Sequence, residues 1–164
     1  GDMRDIVRAV VPQGASVGVR EMIPDGVPKA EDIAFYNWTL EVGIQLQHIC
    51  YGPPDVALLA KLLDVTELKR QGIWCLFVIG HYSGRISYPK LLPPFLSELK
   101  HFGIDGDWSI CAFAKEETNC LKAAIAAGGK VRVGFENSIF MADGSIASDN
   151  ASRVREVASY MARS

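Results

Sequence analysis

Apolar residues come in five short runs, separated by longer stretches where they recur every three or four positions. The runs are Ser16–Arg20 (SVGVR), Gln45–Tyr51 (QLQHICY), Ile73–Gly80 (IWCLFVIG), Trp108–Phe113 (WSICAF) and Val131–Glu136 (VRVGFE). They are rich in β-branched and aromatic residues and predict strands. Ile73–Gly80 and Trp108–Phe113 are apolar on both faces, as a sheet covered by helices requires. In the last run Val131, Val133 and Phe135 share one face and Arg132 and Gly134 the other. That alternation predicts a short buried strand delivering Glu136 at its C-terminal end. Each interval holds one helix-length segment. Pro28 opens the segment that ends at Gly43, Pro54 the one that ends at Gly72, and Pro89 or Lys90 one that stops before Gly103. Glu116-Glu117 lead an Ala-rich helix closing at Gly128-Gly129. Asn150 is placed to cap a last helix carrying Val154, Val157, Ala158 and Met161. A helix from Met3 to Val11 precedes the first strand.

Strands alternating with helices predict βαβ units, a parallel sheet and an α/β fold in one continuous domain. In parallel strands the residues just past the C-terminal ends share one face, where (β/α) barrels keep their chemistry. Here those residues are Arg20 and Glu21, His48 to Tyr51, His81 and Tyr82, Lys115, and Glu136 with Asn137. His81 can serve as base, ligand or hydrogen-bond donor, against a simpler reading as a surface loop histidine. Arg20 can grip a carboxylate with two N–H groups or form a salt bridge across the mouth. Arg132 and Glu136 also fit an ordinary ion pair. His48 reads as a core or barrel-interior residue, and His101 as a cation suited to a helix C-terminus. Gly80, Ser83 and Gly84 could admit a phosphate but match no nucleotide fingerprint.

Bulk properties narrow the classes. With 49% hydrophobic and 22% charged residues the chain is globular. A net charge of −2, with basic residues scattered, argues against a nucleic-acid surface. The longest apolar run, Ile73 to Ile79, is too short to span a bilayer, and no secretory leader is visible. Cys50, Cys75, Cys111 and Cys120 lack metal spacing and read as buried reduced thiols, so the expected setting is cytoplasmic. No H-x-H, H-x-x-H or H-E-x-x-H occurs. A lone Glu136 cannot hold a catalytic zinc, which takes three protein ligands, so the residues by themselves build no metal site.

The stretch from Trp108 to Val157 resembles the C-terminal end of the β-keto acid cleavage enzymes. It contains Gly128-Gly129-Lys130-Val131-Arg132-Val133-Gly134-Phe135-Glu136-Asn137, matching the family's G-G-x-V-R-V-G-[LF]-E-[DN]. The CLFVIG run before His81 fits the family's strand order more loosely, as does Arg20-Glu21-Met22-Ile23-Pro24-Asp25. The resemblance implies a TIM-type (β/α)8 barrel, commonly a homo-oligomer (a tetramer). It also implies a zinc-dependent reaction in which a β-keto acid and acetyl-CoA give acetoacetate and a new CoA thioester. On this resemblance Glu136 is the carboxylate zinc ligand and Arg132 the arginine that positions the acid/base apparatus. Arg132, His81 and Arg20 are then the candidate catalytic residues, and Glu21, Tyr82, Lys115 and Asn137 the candidate substrate contacts.

Two departures stand out. The family often has an aspartate after the glutamate, taking part in proton abstraction. Asn137 stands there, and an amide is no general base. The family's two histidine ligands come from an H-x-H on an early strand, which this chain lacks. Five strands against the eight of a barrel of about 250 residues make residues 1–164 the expected C-terminal portion of a larger enzyme. In that case the complete protein is active and the isolated chain incomplete. Two other readings remain open. One is a shortened, non-catalytic relative that binds an acyl ligand or partner as an oligomer, covering its open sheet edges. The other is a flavodoxin-like domain, which also has five parallel strands but whose glycine-rich phosphate loop is missing here.

Overall fold

A computed structural model describes residues 3–81 and 86–162. Tyr82, Ser83 and Gly84, named above, lie outside the described residues. In chain order the elements are α1 (Met3–Val10), β1 (Gly14–Gly18), α2 (Val19–Met22), α3 (Ala30–Glu41), β2 (Gln45–Cys50) and α4 (Pro53–Leu63). There follow β3 (Ile73–Ile79), α5 (Leu92–His101), β4 (Gly106–Ala112), α6 (Glu117–Ala126), β5 (Lys130–Val131) and α7 (Asn150–Met161). The strands form one sheet in the order β1-β2-β3-β4-β5, with β1/β2 and β4/β5 parallel. The α/β expectation holds, and sequential order is that of a partial barrel unit. A flavodoxin-like sheet runs 2-1-3-4-5, so that alternative is overturned. No described helix is long and apolar enough to cross a membrane.

The chain divides into two compact units, Gly1–Cys75 with Ser97–Gly106, and Leu76–Leu96 with Asp107–Ser164. In the first unit Leu46, His48 and Cys50 alternate as the buried side of β2, and Tyr36 of α3 stacks on the His48 ring. Helix α4 starts where Pro53 follows Gly52, since a proline loses nothing at a first helical position. It stops at Leu63, well short of Gly72. In the second unit Phe77 stacks between Phe95 and Trp108, with ring centroids 4.7 and 6.1 Å away. Gly128, at φ +82°, turns the chain out of α6. Gly129 then passes so close to Trp108 that a Cβ would fall 2.1 Å from the ring. That double glycine is what lets β5 begin there.

Three sequence expectations need correction. β1 ends at Gly18, and Val19–Met22 winds into a helical turn that carries Arg20 and Glu21. Glu21 folds back against Gly18, where any Cβ would lie 1.9 Å from its carboxylate oxygen. The strand predicted over Val131–Glu136 is only Lys130–Val131 long. Arg132 N donates the last link to Ile110 O (2.8 Å), after which Asn150 Oδ1 takes the Phe135 N–H (2.9 Å) and draws the backbone off the ladder. Phe135 is therefore 42% exposed and not a core residue. The last helix is capped by Asp149, whose Oδ1 accepts from Ser152 N (2.6 Å), and Asn150 becomes its first residue.

Candidate functional site

The second unit gathers its polar residues just past the ends of β3, β4 and β5. Ser87 is buried and joins two of these ends: its hydroxyl donates to Ile79 O (2.7 Å) and accepts from Phe113 N (2.9 Å). Ala114, next along, sits in the left-handed region at φ +58°. Its N–H donates to Asn137 O (3.1 Å) and its carbonyl accepts from Ser138 Oγ (2.8 Å). Strain of this kind persists only where the surroundings over-determine it. The turn after β5 closes on itself, Asn137 N and Ser138 N both donating to Gly134 O (2.9 and 3.0 Å).

Between these loops lies a cleft of ≈ 690 Å³, within the range of about 300–1,000 Å³ usual for ligand pockets. His81, Lys115 and Asn137 all line it, so three of the candidate residues meet. Its other walls are mainly apolar, including Phe113, Phe135, Ile139 and Phe140. The Lys115 ammonium lies 5.3 Å from the centre of the Phe140 ring, a cation–π distance. Beside Asn137, Arg132 Nη2 approaches Glu136 Oε1 (3.5 Å) and Asn137 Oδ1 (3.4 Å). The Arg132 and Glu136 side chains are 41% and 64% exposed, while Asn137 is buried. Arg132, Glu136 and Asn137 thus form one cluster on a turn, not at the strand end the alternation predicted.

Arg20 and Glu21 belong to the first unit. Asp55 grips the Arg20 guanidinium, accepting from Nη2 (2.7 Å) and Nε (3.2 Å). Asp55 also accepts the Tyr51 and Gly52 N–H groups that open α4 (2.6 and 3.2 Å). The Arg20 pKa is raised above its ordinary value, chiefly by the Asp55 hydrogen bond, and the guanidinium stacks 5.0 Å over the Tyr51 ring. Salt bridging, the simpler of the two sequence readings, describes Arg20 here, with Asp55 as partner. Half of the Arg20 side chain stays exposed.

Other titratable groups are structural. His48 is buried, and its Nδ1–H donates to Trp74 O (3.1 Å). Burial holds its pKa down to about 4, so it is neutral at pH 7. It borders a second cavity of ≈ 400 Å³ at the N-terminal ends of β2 and β3, the stability end of such a sheet. His101 ends α5, as read, with its ring edge-on to Phe102. All four cysteines are free and buried. Burial pushes Cys111 up to about 11 and Cys120 up to about 12, so neither thiol ionises at neutral pH.

The zinc implied by the resemblance does not fit these residues by themselves. Glu136 is one exposed carboxylate against an arginine, and among the described residues no group of three or more His, Cys, Asp or Glu comes together. Titrated with zinc, this chain alone is expected to bind it only weakly. A tight site with one zinc per chain, seen by calorimetry and elemental analysis, would show that other donors complete the set.

Ser87, Ser138 and Asn150 carry the loops yet were not among the candidates. Ser87 and Ser138 follow no motif, whereas the sequence marks Asn150 only as a helix cap. A family model described as beta-keto acid cleavage enzyme matches residues 4–164 of the chain.

Proposed function

We propose, since this chain belongs to the beta-keto acid cleavage enzyme family, that it serves the exchange of carbon units between a β-keto acid and acetyl-CoA, yielding acetoacetate and a new CoA thioester. The observation that carries this reading is the Arg132–Glu136–Asn137 cluster on one turn beside a cleft that also holds His81 and Lys115. Arg132 and Lys115 supply positive charge for the keto acid carboxylate, and the apolar walls exclude water from its chain. His81 borders the same space, where an imidazole can serve as base or as hydrogen-bond donor. Arg20, with Glu21 on the same helical turn and Tyr82 past β3, remains a candidate for ligand contact through its exposed outer edge.

Glu136 as metal ligand belongs to this proposal, as does the chain as five of eight barrel units in one domain. The further nitrogen donors would then come from residues other than these 164. Assembly into a homo-oligomer and a cytoplasmic setting belong to it as well.

The test is turnover of a β-keto acid with acetyl-CoA by the intact protein, reading acetoacetate and the new thioester by mass spectrometry. Glu136→Gln and Arg132→Met are each expected to lower kcat/KM by about a hundredfold or more, the scale of losing one charge-stabilising group. Full activity in Glu136→Gln would sink the assignment. Asn137 supports a second reading, because an amide accepts no proton. Keto acid binding with no exchange would put the non-catalytic relative first.

A further inference from the structure

Asn137 is only 7% exposed, and its Nδ2 has no hydrogen-bond partner. A buried donor without an acceptor is costly, and each such group calls for an explanation. The orientation of the amide follows from its neighbour. Arg132 has only donors to offer, so Oδ1 must face it and Nδ2 must face away. The Asn137 backbone is fixed on both sides, its N–H on Gly134 O and its carbonyl on Ala114 N. Its side chain is held less firmly, since the Arg132 contact is long at 3.4 Å and the terminal torsion of asparagine is broad. Turning the amide toward the cleft therefore gives up little. Arg132 Nε is a second buried donor without a partner.

The rest of the cleft has the opposite character. Ile86, Phe135 and Ile139 line it and are 59%, 42% and 42% exposed, so three large apolar side chains border one space that the described residues leave partly uncovered. The unmatched Asn137 donor at the edge of the cleft and bare hydrocarbon along its walls together specify a ligand with an acceptor oxygen and an apolar tail.

We propose that this cleft binds the acyl chain of a medium-length or aromatic keto acid, with its keto oxygen accepting a hydrogen bond from Asn137 Nδ2. The proposal rests on the β-keto acid reading of the same site and assigns the asparagine a role in it. A carboxylate at this position would repel the keto oxygen and could take a proton. The amide instead donates to that oxygen and stabilises negative charge developing on it. Chain length is selected by Phe135, Ile139 and Ile86.

Calorimetric titration of the intact protein with 3-oxooctanoate and with acetoacetate tests this, alongside the Asn137 side-chain amide signals in a ¹H–¹⁵N spectrum. The longer keto acid is expected to bind at least about tenfold more tightly, the scale of a few buried methylenes, and to shift the Asn137 amide pair. Asn137→Asp should weaken 3-oxooctanoate by about tenfold or more, as for a lost hydrogen bond turned repulsive. Ile139→Ser, checked by a thermal melt to be folded, should weaken 3-oxooctanoate more than acetoacetate. An unmoved amide pair, or wild-type binding of 3-oxooctanoate by Asn137→Asp, overturns the role of Asn137. Equal affinity for the two keto acids overturns the apolar subsite. If either happens while exchange with acetyl-CoA proceeds, only this inference fails. If neither keto acid binds and no exchange occurs, the family-based reading fails with it.

Discussion

Replacing Arg153 by alanine is expected to cost about 3–5 kcal/mol of stability, the usual penalty for breaking a buried ion pair from one side. Arg153 on α7 is fully buried and pairs with the equally buried Glu117 of α6, and with Glu156 one turn along. Glu156 in turn accepts the Ala142 N–H (3.0 Å), so the arginine ties α6, α7 and the loop before α7 into one unit. Even before substitution Arg153 Nε lacks a hydrogen-bond partner. Burial raises the Glu117 pKa to about 7, with Arg153 opposing the shift. The sign of the pH effect follows. Between the ordinary value of 4.5 and about 7 the unfolded chain releases this proton before the folded chain does, so stability falls as pH rises through that window. Without Arg153 the opposing charge is gone and the decline extends to higher pH. Urea midpoints at pH 5 and pH 8 would show it, the variant losing more at pH 8. Equal losses at both would mean Glu117 is not the group left stranded. Exchanging both partners for apolar residues of similar volume should recover most of the loss.

Asp55→Ala is expected to cost about 2–4 kcal/mol, combining a lost helix cap with lost charge-assisted bonds. The carboxylate is buried and accepts from two backbone amides and from Arg20 at once. Asp55→Asn separates these parts, since an amide oxygen can still accept from Tyr51 N or Gly52 N but leaves Arg20 without its counter-charge. Thermal melts should place Asn between Asp and Ala.

How legible each part was depended on whether its partners were local. β2, β3 and β4 followed from apolar runs that no helix-length segment imitates. The VRVGFE run looked like a strand because alternation records which face a side chain takes, not whether the backbone finds a ladder. The Phe135 amide goes to Asn150, fifteen residues further on in a helix, and no local pattern shows that. Asp149 and Asn150 are both good cap residues, so composition could not choose between them. Asp55 was within reach, as the third residue of a helix opened by Gly52-Pro53. The cluster of Arg132, Glu136 and Asn137 came from motif resemblance and the geometry of a turn, while Ser87 and Ser138 are tertiary links without any signature in sequence.

Ala114 has a consequence for how the cleft responds to a ligand. Its left-handed backbone costs roughly 1–2 kcal/mol and is held by the neighbouring turn at both its amide and its carbonyl. Lys115 follows it directly, and Asn137 supplies one of the two bonds. The Ser138 hydroxyl on the Ala114 carbonyl holds the peptide that leads into Lys115, so the turn that carries Asn137 also sets where the chain presents the cation, and a ligand meets both groups on one preset support.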